Sequence, residues 1–426
     1  MRGFGLLLPL LLLTVSCGTS SLVDSALSGD LATLKREVKA AQDKGTLDRS
    51  EALDLARAVA AREVHSARGQ DAVSTLRSFR ACAAPLSHVL EERAKRSDDV
   101  AAEATLILYE LGVRSAPQLV ERHHDAASGA WRAVAARAAV RPRDFAMRRG
   151  WFTDPDQRVR RAALDAAVDA PSRDDVDALF ESARLDPDAL SRSIATRALG
   201  ALGGSHVANL LDDLWARADE TTRVTLVDAW GMKASFEAGG REKLVRIAET
   251  ESGLPPLAAA AALTRHDAEA RDIGVAVLIR ASSQGTETER RLALRLVPLD
   301  DVDARAAVEK ATATEDAEVA VMAWARLAGT ADARERAIEA LRKLAPKDDD
   351  IGLQARAALA AVADASVKPR LVEQLSAKTA RYRTIAATSL LGLGEFGLAA
   401  TALADDDPFV RGRVACAMLA RAGEKR

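Results

Sequence analysis

Apolar residues recur at positions i, i+4 and i+8 along this chain: Val100, Ala104, Leu108; Val159, Ala163, Ala167; Ile194, Ala198, Leu202; Val319, Ala323, Leu327; Ile351, Ala355, Leu359; Val410, Val414, Met418. That spacing puts three side chains on one face of a helix. Polar or Asp-rich turns precede these stripes near Asp98, Ser128, Asp154, Asp186, Glu220, Pro255, Thr286, Glu315, Asp348, Lys378 and Asp407. The mean step is about 31 residues, a period typical of helical repeat arrays. Two helices of about ten to thirteen residues and two turns fill it. In one unit Gly329 closes a helix, 331–345 forms the next, Pro346 stops it and Asp348 to Asp350 cap the helix from Ile351. The pattern predicts an all-α fold: an α-solenoid, a superhelix of about eleven stacked helix pairs. At about 8–10 Å per unit the array would be roughly 90–110 Å long.

Composition agrees. Alanine is roughly a fifth of the chain, far above ordinary usage, and Leu, Arg and Glu add good helix formers. Aromatics are 4% of the 426 residues, and β-branched runs bounded by turns are scarce, so almost no sheet is expected. Sixty basic and 62 acidic residues leave a net charge of −2, which argues against a nucleic-acid partner. Cys82 and Cys416 lie far apart in sequence without a Cys-x-x-Cys spacing, so neither a disulfide nor a zinc site is expected, and Cys416 reads as a small buried hydrophobe.

The segment Asp154-Pro155-Asp156-Gln157-Arg158-Val159-Arg160-Arg161-Ala162-Ala163-Leu164 resembles the second-helix motif of HEAT repeats, especially short bacterial repeats similar to those of phycobilisome lyases. Asp407-Pro408-Phe409-Val410-Arg411 resembles it too, and Asp186-Pro187 opens a copy with a longer turn. Near Glu220 the pattern departs, with Asp228 where Ala is expected. The resemblance implies that Asp154 and Arg160, and likewise Asp407 and Arg411, bond between neighbouring units. It covers about 98–423 of the array at 98–426, and the less regular 23–97 is expected to form helical pairs that cap it.

Residues 1–16 read as a signal peptide: Met1-Arg2-Gly3 is basic, and Phe4 to Leu13 is apolar apart from Gly5 and Pro9. Leu13-Thr14-Val15-Ser16-Cys17 resembles a bacterial lipobox, which implies lipidation of Cys17 with 17–22 as tether. Acyl chains would then hold the protein at a membrane. Gly18 after the cysteine implies the outer membrane, facing the periplasm. The alternative is a plain secretory signal.

No nucleophile elbow, P-loop or dinucleotide motif occurs. Glu121-Arg122-His123-His124-Asp125 lacks an i, i+4 histidine pair, and the Asp runs at 300–303, 348–350 and 405–407 lack a calcium-loop pattern, so surface histidines and helix caps are expected. No cofactor or metal is expected. The most basic stretch holds the candidate interaction patch: Arg148, Arg149, Trp151, Arg158 and Arg161. Its other reading is a solvated face interleaved with Asp144, Asp154 and Asp156. The functional expectation is a non-catalytic, membrane-anchored scaffold that binds another protein or peptide of the cell envelope on a concave face presenting Arg158, Arg161 and Asp165. The alternative is an enzyme or enzyme-accessory protein, as the lyase-like repeats imply, with its site on that face.

Overall fold

A computed structural model describes residues 21–67 and 69–422, and among these the fold is all-α with no strand. The lipobox and Cys17 lie outside the described residues. The first helices are α1 (Ser21–Ser28), α2 (Leu31–Asp43), α3 (Arg49–Ser66), α4 (Gly69–Ser78) and α5 (Ser87–Ala94). They are followed by α6 (Asp99–Glu110), α7 (Ala116–His123), α8 (Gly129–Ala138), α9 (Phe145–Trp151), α10 (Gln157–Asp169), α11 (Val176–Leu185), α12 (Ala189–Leu202), α13 (Ser205–Trp215) and α14 (Glu220–Trp230). Then come α15 (Lys233–Ser235), α16 (Arg241–Thr250), α17 (Leu254–His266), α18 (Arg271–Gln284), α19 (Glu287–Leu296), α20 (Val302–Ala311) and α21 (Ala317–Leu327). The last are α22 (Arg334–Leu344), α23 (Asp350–Ala361), α24 (Lys368–Gln374), α25 (Ala380–Gly392), α26 (Phe396–Ala399) and α27 (Pro408–Ala422).

Each polar turn marked in the sequence falls within three residues of a helix start, at α6, α8, α10, α12, α14, α17, α19, α21, α23, α25 and α27. The caps explain why. Asp98, Asp156, Asp188, Asp219, Asp316 and Asp349 each accept a backbone N–H of the first turn, and Thr286 forms a capping box with Glu289. The six apolar trios are buried throughout except for Leu202, which is half-buried. They are the faces on which α6, α8, α10, α12 and α14 pack side by side, and on which α21, α23, α25 and α27 do the same.

Repeated arginines tie these helices together. The fourth residue of α8, α10, α25 and α27 is Arg132, Arg160, Arg383 and Arg411. In each, Nη1 donates to two carbonyls of the turn before its own helix. The other nitrogens grip a carboxylate of the next element: Asp154 for Arg132, Asp186 for Arg160 and Asp405 for Arg383. Asp154 and Arg160 therefore bond to neighbours, as the resemblance implied. Asp405 takes the role expected of Asp407, whose carboxylate instead accepts the Phe409 N–H.

The partner of Arg411 is Glu63 of α3. Around that pair, α27 packs along α3, Lys35 meets Asp406 at 2.6 Å, Arg49 lies over the Phe396 ring, and a Cβ at Gly397 would fall 2.2 Å from Leu47 O. The α4 and α5 helices pack on α6, so the sequence of contacts closes on itself. One apolar core joins residues 22–108 with 257–419, and a second fills 102–270. The first hundred residues thus pack against both α6 and α27. Cys82 and Cys416 form a disulfide across this junction, with Cα atoms 5.3 Å apart, which corrects the reading of two unpaired cysteines. Their separation of 334 residues hid the pairing, because the ends meet only after the whole array has turned.

Candidate functional site

The α4, α6, α8, α10 and α12 helices line one cavity of about 270 Å³. Its floor is apolar: Val73, Ala102, Leu106, Ala130, Ala133, Val134, Ala162 and Ile194, with the exposed Leu190 at one edge. The face is concave. Arg158 of α10 reaches over α8 to Asp99 of α6 at 2.8 Å, although axes two helices apart in a flat layer would be about 16–20 Å apart.

Charge surrounds the floor, and most of it is paired. Arg77 and Arg80 both donate to Glu103, whose side chain is only 6% exposed, and Arg80 also reaches Glu110 at 3.5 Å. Arg137 meets Asp169 at 2.6 Å, just outside the lining. Arg158 pairs with Asp156 as well as Asp99, and Arg161 donates twice to Asp188. The Arg161 hydrogen bond, with help from Ser191, holds the Asp188 carboxyl well below the usual range. Asp165 differs. Among the described residues it accepts no hydrogen bond, and burial pushes its carboxyl up although Arg137 and Arg197 face it. Burial likewise raises Glu110. Further along the same row, Asp228 of α14 is raised by burial with Arg265 and Arg197 opposing. Acids and arginines thus alternate from α6 to α17, at Glu110, Arg137, Asp165, Arg197, Asp228 and Arg265.

The five residues of the candidate patch are split. Arg158 and Arg161 line the cavity, as does Asp165. Arg148 and Trp151 are buried, and their place in a surface patch is corrected. Arg148 Nη1 donates to Ala139, Ala166 and Ala170 carbonyls at the ends of α8 and α10, its Nη2 pairs with Asp175, and its guanidinium lies 4.2 Å from the Phe145 ring centre. A cation there compensates two helix C-termini. Arg149 donates to the same Asp175. The run looked like a patch because sequence lists its arginines together, while α9 turns two of its members inward. Glu103, Glu110, Arg77, Arg80 and Leu190 carried no sequence signal, since two lie in the irregular segment and the rest occupy helix faces that only packing selects.

His123 stacks on Trp131 at 4.5 Å, while His124 meets Asp125 at 2.8 Å, so the two rings engage different neighbours. The Asp runs divide their work: Asp301, Asp349 and Asp407 cap helices, whereas Asp300, Asp350, Asp405 and Asp406 pair with Arg271, Arg381, Arg383 and Lys35. Among the described residues no group of His, Cys, Asp and Glu has the arrangement of a metal site, and no helix is long and apolar enough to cross a membrane.

The fold and the cavity define an all-α protein with a charged concave face. No family model matches the chain, and no curated protein does. Among solved structures, an engineered protein from the Northeast Structural Genomics Consortium is 19% identical, with a TM-score of 0.28, covering 79% of this chain and 99% of that one.

Proposed function

We propose that this chain is a non-catalytic scaffold: an α-solenoid of HEAT-like pairs, anchored to a bacterial envelope membrane through lipidated Cys17, that binds another protein or peptide on its concave face. The observation that carries the reading is the cavity spanning five helices, with an apolar floor and ion-paired walls. Apolar area supplies affinity, and fixed charges set register and partner choice. A preformed groove also spares the ordering cost of binding.

The test places a photo-crosslinking residue at Leu190 in intact cells. Capture of one dominant exported protein, lost when Arg161→Glu is added, supports the reading. Capture of nothing from Leu190, or capture unchanged by Arg161→Glu, overturns the groove as the interface. The anchor is tested separately: Cys17→Ala should release the protein into the soluble periplasmic fraction, and retention at the membrane counts against lipidation.

An enzymatic reading has one observation in its favour. Glu110 and Asp165 both line the groove and both have carboxyls raised by burial, as groups that exchange protons do. A turnover assay on any captured partner separates the readings, since an enzyme should turn it over and lose that turnover in Asp165→Asn, whereas a scaffold should show none.

A further inference from the structure

The charges of the groove do not balance once its bonds are traced. Arg137 is taken by Asp169, Arg158 by Asp99 and Asp156, and Arg161 by Asp188, while Arg77 and Arg80 converge on Glu103. Glu110 has Arg80 at 3.5 Å. With Asp165, the lining and its immediate partners hold seven carboxylates against five arginines. Asp165 of α10 alone of the seven has neither a hydrogen bond nor an ion pair among the described residues. It is half-buried and lines the cavity, and its carboxylate oxygens stay open to solvent. Arg137 of α8 and Arg197 of α12 face it, and Asp169 of its own helix opposes them. Arg137 is spent on Asp169 at 2.6 Å, and Arg197 faces Asp228 of α14 as well. Partial burial without a bond makes the charged form of Asp165 costly.

The repeat itself does not call for an acid at this place. Asp165 is the ninth residue of its helix, and the ninth residues of α21, α23, α25 and α27 are Ala325, Ala358, Thr388 and Cys416. Those helices pack side by side with no charge there. Charge at the ninth residue runs from α8 to α14, at Arg137, Asp165, Arg197 and Asp228, and recurs at Arg295 of α19. A carboxylate that costs stability, is not needed for packing and opens into a cavity is accounted for by a partner that pairs with it.

We propose that the groove takes a basic side chain, the lysine or arginine of a partner protein or peptide, whose cation pairs with Asp165 while its aliphatic stem lies on the floor of Ala133, Ala162 and Ile194. This inference rests on the scaffold reading and names the chemistry of its partner. Both parts of such a side chain find a match, since long basic residues lay an apolar stem along apolar surface and carry the charge at the tip. The cavity of about 270 Å³ has room for one, far exceeding the share of a single water, about 30 Å³ in the liquid. An anion finds no equivalent place, because each of the five arginines is already bonded. An apolar neighbour of the basic residue would cover Leu190, which is 52% exposed at the groove edge.

The experiment selects random short peptides displayed on phage against the full-length protein, and against Arg161→Glu and Asp165→Asn. Peptides held by wild type and lost on Arg161→Glu are bound in the groove. These should be enriched in lysine or arginine beside an apolar residue. A synthetic peptide from that set, followed by titration calorimetry, should bind Asp165→Asn more weakly by about tenfold or more, and replacing its basic residue by norleucine should weaken binding to wild type equally. The two changes together should cost no more than either alone, a coupling that a purely structural role of Asp165 would not produce. Asp165→Asn suits the test because it removes an uncompensated charge and is expected to fold at least as stably as wild type. Groove-bound peptides without the enrichment, or held equally by Asp165→Asn, overturn the inference and leave the scaffold reading standing. Selection of no groove-bound peptide overturns it together with that reading.

Discussion

Arg411 donates from Nε and Nη2 to the same oxygen of Glu63, at 3.0 and 2.8 Å, across 348 residues of sequence. Every other feature of Arg411 repeats Arg160 and Arg383 one unit after another. Glu63 therefore takes for Arg411 the part that Asp186 and Asp405 take for Arg160 and Arg383, and the N-terminal segment completes the circuit of packed helices.

Because both side chains are nearly buried, with 8% and 11% exposure, breaking the pair leaves a charge without a partner. Glu63→Gln and Arg411→Met are each expected to cost about 3–5 kcal/mol of stability, whereas Glu63→Leu with Arg411→Met should recover much of that loss. Urea denaturation of the four proteins checks this. Additive losses in the double variant would show that the two residues act independently.

The Cys82–Cys416 disulfide closes the same junction by a covalent bond. Crosslinking a long loop restricts the unfolded chain, so reduction, or Cys82→Ser with Cys416→Ser, should lower stability by about 2–4 kcal/mol. The core of residues 22–108 and 257–419 should nevertheless keep the reduced protein folded. Thermal melts with and without reductant measure the difference, and equal midpoints would count against a staple.

Arg148 and Asp175 are fully buried, and Arg148 also donates to carbonyls at the α8 and α10 C-termini. Asp175→Ala is expected to cost about 3–5 kcal/mol. Crosslinking of a partner from Leu190, measured where the variant remains folded, should be unchanged. A specific loss of partner capture without loss of stability would return this arginine to the binding surface.

Two carboxyls on α10 and before α12 should respond to pH in opposite directions. Arg161 depresses Asp188, so its stabilisation is complete above the ordinary carboxylate range and is lost as pH falls through its folded value. Asp188→Asn should melt lower than wild type at pH 7, with the gap narrowing in acid. Burial raises Asp165, so its charged form costs stability at neutral pH, and the cost disappears as pH falls through its raised value. Asp165→Asn should melt higher than wild type at pH 7, with that gap closing in acid. Melting curves from neutral to acid pH test both, and gaps of the same sign would contradict the assignment.

What the sequence by itself determined is local. The apolar trios and the Asp and Thr caps act within one or two helical turns, so the eleven marked helix starts between α6 and α27 and the six buried trios were legible to within three residues. The Asp154 and Arg160 contacts were anticipated only through the resemblance of the 154–164 segment to known repeats. The tertiary structure alone decided how far successive pairs rotate. That sum, over the whole array, brings α27 to α3, joins Cys82 to Cys416 and bends Arg158 onto Asp99. It also turned Arg148 and Trp151 inward while leaving Arg158 and Arg161 in the groove, since a small rotation of α9 is enough to exchange surface for core.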